Sequence, residues 1–310
     1  MQDQYGRKIE YLRLSITDLC NLRCKYCMPE KGIKKLPHDE ILTFEQMVNV
    51  AKAAKKLGIK KLRITGGEPL VKRNFIALLE SISEIGFEDL GITTNGINLP
   101  KYIDDIKRLG VKRINISLDS LNKKTYQLIT NHDELDKALL GIDKSIEAGI
   151  KVKINTVMLK NINENEFENL INFAKEKNIL LRFIELMPTE CSKDFAKLHY
   201  LSSKDVIKKF NAKFVREEGV ADIYDIGGFL VGFISPISNK FCDSCNKIRI
   251  TSTGLLIPCL HSNVGYSLKP YVDNVDELAR QIEKFTLNKP ISHFIGEKEN
   301  ISKTMNTIGG

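Results

Sequence analysis

The sequence contains no tryptophan, and only 7% of its 310 residues are aromatic. It has no apolar run close to the roughly 18 residues that a membrane span requires. The first residues, MQDQYGRKIEY, contain no apolar segment of the kind found in signal peptides. The lack of a membrane-length apolar run and of a signal peptide argues against a membrane or secreted protein, and we expect a cytoplasmic protein. In the reducing cytosol, its seven cysteines are expected to serve metal or redox chemistry rather than disulfides.

Basic residues outnumber acidic ones, 47 against 39, which gives a formal charge of +8. Such a charge suits an acidic small ligand, a nucleic acid or an acidic protein. Surfaces that bind single-stranded nucleic acids combine basic side chains with aromatic ones on which bases stack. The sequence shows no such interleaved motif, which argues against nucleic-acid binding.

The first two-thirds of the chain repeats a short β-branched strand, a loop, an amphipathic helix and a glycine. Three helix ends and following strands align: LGIKKLRIT at 57–65, LGVKRINIS at 109–117 and AGIKVKINT at 148–156. A glycine just after a helix adopts the left-handed cap conformation, and the short apolar run that follows is typical of a buried parallel strand. Strands are predicted near 11–16, 61–65, 90–94, 113–118, 152–158 and 181–186.

Alternating strands and helices predict a parallel sheet with right-handed crossovers. We favour an incomplete (βα)6 barrel of the TIM type over a doubly wound sheet. Thr43 and Gln46 are a candidate capping box for the helix that follows the first loop.

The repeat ends near residue 210. Beyond it, FLVGFISPI and KIRITSTGLLIPCL are predicted strands, followed by a helix near 273–287 and a polar tail. We predict that residues 1–210 form the barrel and that residues 211–310 form a smaller α+β region that caps it.

Polar residues follow the predicted strands with regularity. In either architecture the reactive end is the C-terminal edge of the parallel strands. Turn chemistry alone would also place polar residues in these loops. If they line one pocket, its residues are Asp18, Gly66, Gly67, Glu68, Thr94, Asn95, Ser117, Asp119, Asn155 and Glu185.

Three cysteines, Cys20, Cys24 and Cys27, lie within CNLRCKYC and have no fourth cysteine nearby; they form the first cysteine group. Their spacing allows the three sulfurs to surround one metal centre. A zinc ion with a further ligand such as His38 is the alternative. Three thiolates on a four-iron cluster would instead leave one iron open to an external molecule.

Cys242, Cys245 and Cys259 form a second cysteine group, again with three members. A Cys3His zinc site that uses His261 is one interpretation. A second iron–sulfur cluster with an open iron is the interpretation we favour.

Two further stretches are candidates for substrate contacts. Lys247 and Arg249 alternate on a predicted strand and therefore face the same side, where they suit an anionic substrate. A solvated basic strand would show the same pattern. The sequence ends in Gly309 and Gly310, which would normally be disordered, but residues without side chains can thread a narrow active site.

CNLRCKYC matches the CxxxCxxC signature of the radical S-adenosylmethionine (SAM) enzymes, and TGGEPL at 65–70 resembles their glycine-rich second strand end. The resemblance implies that the open iron chelates SAM and that an electron from the cluster releases a 5'-deoxyadenosyl radical. It also implies the residues that contact SAM, which are Tyr26, Gly67, Glu68, Ser117 and Met187.

With TTNG, the second cysteine group and the terminal glycines included, essentially the whole chain resembles the GTP 3',8-cyclases of molybdenum cofactor (molybdopterin) biosynthesis. The resemblance implies a lyase that converts GTP to (8S)-3',8-cyclo-7,8-dihydroguanosine 5'-triphosphate. It implies two 4Fe-4S clusters, one for each cysteine group, and SAM as cofactors. The implied catalytic residues are Arg13, Lys153, Gly309 and Gly310. The implied GTP contacts are Arg13, Arg63, Thr94, Lys153, Lys247, Ile248 and Arg249.

One lysine departs from the family pattern, and one cysteine falls outside its motifs. Many family members have arginine where this chain has Lys247, and lysine cannot donate a planar pair of hydrogen bonds. Cys191 matches no ligand position, and we expect a free thiol.

The resemblance implies GTP as substrate, an electron donor such as flavodoxin or ferredoxin, and a functional link to cyclic pyranopterin monophosphate synthase. A homodimer is compatible with it, whereas a membrane or a nucleic acid is not an expected partner. The alternatives are a peptide-modifying radical SAM enzyme with an auxiliary cluster and a zinc-containing nucleic-acid-binding protein.

Overall fold

The structure is a computed structural model that describes residues 1–293 and 304–309. Six parallel strands form its centre, and all six are at the predicted places. They are β1 (Tyr11–Ser15), β2 (Lys61–Thr65), β3 (Asp89–Thr94), β4 (Arg113–Ser117), β5 (Lys151–Met158) and β6 (Leu180–Glu185). Each pairs in parallel with the next, so the predicted βα repeat is confirmed as a partial barrel.

Helices connect these strands and cover their outer face. They are α1 (Phe44–Lys56), α2 (Phe75–Ser83), α3 (Leu99–Arg108), α4 (Lys123–Thr130), α5 (Leu135–Glu147), α6 (Phe167–Glu176), α7 (Lys193–His199), α8 (Ser203–Lys209) and α9 (Val275–Thr286). Thr43 and Gln46 form the predicted capping box at the start of α1. Gly110 and Gly149 have φ values of 75° and 78° where α3 and α5 end, as the repeat predicts. In the described residues, no helix is long and apolar enough to cross a membrane.

The part of the chain after residue 210 adds strands to both edges of this sheet. They are β7 (Lys213–Glu218), β8 (Ala221–Ile226), β9 (Phe229–Ile234), β10 (Lys247–Ile250), β11 (Leu255–Ile257) and β12 (Tyr266–Ser267). The strand order is β12-β11-β10-β1-β2-β3-β4-β5-β6-β9-β8-β7, so the barrel is not closed. Because β9 and β10 join the same sheet as the barrel strands, the division at residue 210 stays a prediction.

Side-chain alternation along the strands separates the core from the barrel interior. In β1, Leu12 and Leu14 are fully buried in the main hydrophobic core, with Ile64 of β2 and Ile116 of β4. Successive strand residues point to opposite faces, so the intervening positions, among them Arg13, face the barrel interior. The interior can therefore be polar without interrupting the core.

Candidate active site

A cavity of about 490 Å³ lies inside the barrel. Residues at the ends of the parallel strands line it, together with the loops that carry both cysteine groups. The predicted site residues on its wall are Arg13, Cys20, Cys24, Tyr26, Cys27, Arg63, Gly67, Glu68, Thr94, Ser117, Lys153, Met187, Cys242, Cys245, Lys247, Arg249 and Cys259. The structure thus brings together residues as far apart in the sequence as Arg13 and Cys259.

Three of the predicted residues need separate comment. Ile248 has a fully buried side chain in the hydrophobic core, so only its backbone is available to GTP, and its place among the GTP contacts stays a prediction. The cause is strand alternation, which turns Ile248 away from the face that Lys247 and Arg249 share. Gly309 reaches the barrel through its backbone, and Gly310 lies outside the described residues.

The first cysteine group lies in the loop after β1, which packs against the barrel end. Leu22, between two of the cysteines, is buried against Ile97 and Ala138. The amide of Arg23 donates to the carbonyl of Thr130 at 2.9 Å, which ties the loop to α4. The loop is therefore held in place by groups other than its thiols.

Burial raises the pKa of Cys20 to about 11, and burial together with the neighbouring Cys27 raises the pKa of Cys24 well above its usual value. Thiols are metal ligands in their deprotonated form. Three adjacent thiols of this kind lose their protons only if another positive charge compensates the thiolates. An iron–sulfur core supplies that charge. The donor set fits a cluster held by three thiolates.

Beside this loop, the residues proposed for SAM form a tightly hydrogen-bonded wall. The Tyr26 hydroxyl donates to Asp119 Oδ2 at 2.6 Å. Glu68 accepts from the Leu70 amide at 2.9 Å and from the Thr94 hydroxyl at 2.7 Å, and burial raises its pKa to about 7. These contacts join the ends of β2 and β3.

Gly67 approaches the first loop too closely for any other residue. A Cβ atom at this position would lie 2.4 Å from the carbonyl oxygen of Leu19 and 2.6 Å from that of Asp18. The glycine of TGGEPL is therefore required by backbone packing.

Basic side chains from neighbouring strands meet deeper in the barrel. Arg13 pairs in register with Arg63 on one side and with Arg249 on the other. Burial lowers the pKa of Lys247 to about 8 and that of Arg249 to about 9. Like charges held together away from water are stabilised when an anion binds between them. This part of the cavity is therefore suited to bind an anion.

Tyr11 and Arg182 belong to this basic region, although the sequence analysis did not select them. Burial acts to raise the pKa of Tyr11, but Arg63, Arg13 and Lys247 together lower it to about 7. Burial lowers the pKa of Arg182 to about 10, and its buried Nε has no hydrogen-bond partner in the described part of the chain. An arginine at an inward position of LLRFIE is the signal that could have identified Arg182.

Lys153, a predicted substrate contact, is already paired. Its Nζ lies 2.6 Å from Glu218 Oε1, and Glu218 also contacts Arg216 at 3.1 Å. Glu218 ends β7, at the tip of a hairpin with β8 that the sequence analysis missed. The Glu218 carboxylate therefore forms an ion pair with one of the basic side chains that line the cavity.

The second cysteine group reaches the same cavity from the loops around β10 and β11. Burial acts to raise the pKa of Cys245, but the nearby Lys289 contributes to a net lowering. Burial raises the pKa of Cys259, and Lys289 opposes this effect. Thiols with a buried cation beside them suit a metal centre of net negative charge.

The proposed zinc ligands are placed differently. His38 lies on a short 3-10 helix, His38–Glu40, away from the cavity wall. His261 lies on the wall, where its Nε2 is 2.7 Å from the sulfur of Met187. In residues 1–293 and 304–309, no three His, Cys, Asp or Glu side chains are arranged to hold a single metal ion. The zinc interpretation gains no support from this geometry.

The last described residues enter the barrel. Arg13 Nε donates to the carbonyl of Gly309 at 3.3 Å, and Arg249 donates to the same oxygen. Gly309 has a φ of 72°, and a Cβ there would lie 2.9 Å from Cγ2 of Thr65. Gly309 therefore contacts two cavity arginines through its carbonyl, and its place among the catalytic residues stays a prediction.

Comparisons with known proteins agree with this geometry. The Radical SAM superfamily model matches residues 14–174, and the Molybdenum Cofactor Synthesis C model matches residues 179–295. Relatives named GTP 3',8-cyclase, from Clostridium botulinum (strain Langeland) and Alkaliphilus oremlandii, are 43% and 42% identical over 100% of both chains. The crystal structure of Streptococcus suis SuiB bound to S-adenosylmethionine shares the fold, with a TM-score of 0.63 at 17% identity over 90% of this chain and 68% of that chain. The chain therefore belongs to the radical SAM superfamily and, over its full length, to the GTP 3',8-cyclase family within it.

Proposed function

We propose that this chain converts GTP to (8S)-3',8-cyclo-7,8-dihydroguanosine 5'-triphosphate in molybdenum cofactor biosynthesis. One observation carries the proposal: a single cavity joins both cysteine groups and a buried set of basic side chains. A radical source, a second metal centre and an anion site are the three components that this reaction requires. The names of the full-length relatives give the same reaction.

The first cysteine group holds the 4Fe-4S cluster that binds SAM. When bound, the two together supply the 5'-deoxyadenosyl radical that abstracts the ribose 3' hydrogen of GTP. Gly67 allows the end of β2 to pack against the loop that carries the first cysteine group. Glu68 accepts three hydrogen bonds from protein groups, and a carboxylate has about four acceptor positions, so one remains for the SAM ammonium.

The basic side chains of the barrel bind the triphosphate. Arg13, Arg63, Arg182 and Arg249 come from four different strands and face one volume, so they can contact several phosphate oxygens at once. In a buried site these charge-assisted hydrogen bonds are stronger than at a surface. The ribose and base are thereby held between the two cysteine groups. Holding the reacting groups in a fixed geometry lowers the barrier to reaction.

Gly309 has a positioning role in this proposal. Its carbonyl accepts from Arg13 and Arg249 and so fixes two of the side chains that face the triphosphate. Cys242, Cys245 and Cys259 would hold the second 4Fe-4S cluster at the wall of the same cavity.

The wider context is part of the same proposal. Residues 1–210 carry the SAM site, and residues 211–310 carry the second cluster. Cleavage of the SAM sulfonium consumes one electron, which a donor such as flavodoxin or ferredoxin supplies in the cytoplasm. The product passes to cyclic pyranopterin monophosphate synthase, and the chain acts as a homodimer.

The test is turnover by anaerobically reconstituted protein with SAM and a reductant. Mass spectrometry follows 5'-deoxyadenosine and nucleotide products with and without GTP, and Cys24→Ala is the control that lacks radical formation. We expect GTP-dependent 5'-deoxyadenosine and an isomer of GTP. Deoxyadenosine that forms equally without GTP, with GTP recovered unchanged, would refute the cyclase assignment and direct the search to peptide substrates.

A further inference from the structure

Lys289 is a buried lysine for which the function above gives no role. It lies three residues beyond α9, and only 2% of its surface is exposed. Its ammonium donates to the carbonyl of Lys247 at 2.9 Å and to that of Pro258 at 2.6 Å. Among the described residues, no carboxylate forms an ion pair with it. A buried ammonium that has only neutral partners is strongly destabilising, so a counter-charge is expected.

The two carbonyls identify where that counter-charge lies. Lys247 is two residues after Cys245, and Pro258 directly precedes Cys259. Lys289 thereby connects the two segments that carry these ligands. Its ammonium also lies close enough to Cys245 and Cys259 to favour the thiolate form of both. The buried charge is therefore directed at the sulfurs of the second cysteine group.

The surroundings of the first cysteine group have the opposite sign. Asp119 and Glu68 lie close enough to act on its thiols, and their charges disfavour the thiolates. Arg23 is a basic residue near Cys20, but it is only partly buried and donates to the carbonyls of Cys20 and Leu22. The first cysteine group thus has buried carboxylates beside it, whereas the second has a buried ammonium.

We propose that Lys289 is the fixed counter-charge of the second cluster and that it holds the reduction potential of this cluster above that of the first. Three thiolates give a 4Fe-4S cluster a net negative charge, and reduction adds another. A nearby cation stabilises the reduced form more than the oxidised form. Lys289 is a positioning residue, since it acts through the ligands and does not touch the substrate.

The proposal rests on the proposed function only in that a cluster occupies the second cysteine group. The experiment compares Lys289→Gln, which keeps a hydrogen-bond donor but loses the charge, with Lys289→Arg, which keeps both. Lys284→Gln, on the exposed side of α9, is the matched control for loss of a lysine. Reduction potentials are measured by redox titration with electron paramagnetic resonance on the reconstituted full chain. Cys24→Ala, measured in parallel, assigns the signal of the second cluster.

We expect Lys289→Gln to lower the one-electron reduction equilibrium constant of the second cluster by about tenfold, which is a fall of about 59 mV. Lys289→Arg and Lys284→Gln should leave this potential near that of the unaltered protein, and the first cluster should not change. A cluster in Lys289→Gln with an unchanged potential would overturn the proposal. So would equal shifts in the Gln and Arg variants.

Iron and sulfide content covers the case in which a variant does not retain the second cluster. Loss of this cluster from Lys289→Gln with retention in Lys289→Arg supports the requirement for charge. Equal loss from both, with the far-ultraviolet circular dichroism unchanged, contradicts it. If the unaltered chain itself assembles no second cluster, the proposed function fails, which is a different result from failure of the role of Lys289.

Discussion

Replacing Glu218 by Gln should increase the affinity of the enzyme for GTP. Glu218 pairs with Lys153 at 2.6 Å, so a phosphate oxygen must displace a carboxylate before it can bind this lysine. The Glu218 side chain is 40% exposed and that of Lys153 is 19% exposed, so the pair is screened by solvent. Pairs of this type contribute about 0.2 to 1 kcal/mol.

The upper value corresponds to about a fivefold change in a dissociation constant. Removing the negative charge of Glu218 also reduces its repulsion of the triphosphate, which acts in the same direction. We therefore expect Glu218→Gln to lower the KM for GTP by up to about fivefold, with kcat little changed. The difference between the variant and the unaltered enzyme should diminish as ionic strength rises.

The assay is the initial rate of GTP-dependent product formation across GTP concentrations, under saturating SAM. Glu217→Gln is the matched control, because Glu217 is exposed, has the same charge and does not line the cavity. A KM that is unchanged or higher in Glu218→Gln, or an equal decrease in Glu217→Gln, would refute the competition between Glu218 and the triphosphate.

Three further predictions concern the cysteines, the terminal segment and pH. Cys259→Ser should retain most of the first cluster but lose GTP turnover, as iron content and product analysis will show; normal turnover would contradict the second metal site. Gly309→Ala should reduce cyclisation with little change in Tm, because the added Cβ meets Cγ2 of Thr65 at 2.9 Å and the left-handed φ costs about 1 kcal/mol; unchanged product yield would argue against a role for this residue. Burial raises the pKa of Glu68 from 4.5 to about 7, so the folded cluster-free chain binds more protons than the unfolded chain between these pH values. Its free energy of unfolding should therefore fall by up to about 3 kcal/mol as pH rises through this range. Urea unfolding at several pH values should show a weaker dependence of this free energy on pH in Glu68→Gln. An equal dependence in both proteins would contradict the raised pKa of Glu68.

Local patterns were sufficient to predict the barrel strands and the cysteine loops. The six parallel strands are apolar runs between helices that end in glycine, and both signals lie within a few residues. By contrast, β7 was missed because all of its residues are exposed, so KFVREE has no hydrophobic alternation. Ile248 was assigned to the site with Lys247 and Arg249 as one segment, and the two-residue period of a strand leaves only its backbone available for such a contact.

The remaining site residues depend on contacts between distant parts of the chain. The ion pair of Lys153 with Glu218 joins residues that are 65 positions apart, and no local pattern predicts it. Tyr11 and Arg182 lie at inward positions of strands, which can be recognised once the sheet and its register are known. The role of Lys289 requires the positions of two carbonyls on separate loops.

The order in which the strands pair affects how the chain folds while it is being synthesised. Leu12 of β1 pairs with Leu62 of β2, which is made soon afterwards, and with Ile248 of β10, which is made more than two hundred residues later. The outer edge of β6 likewise stays unpaired until β9 is complete. A growing chain therefore exposes two strand edges, and unpaired edges of this kind favour aggregation. Slow synthesis or a shortage of chaperones should therefore reduce the yield of folded protein even when iron is abundant, and a fragment that ends near residue 210 should be poorly soluble.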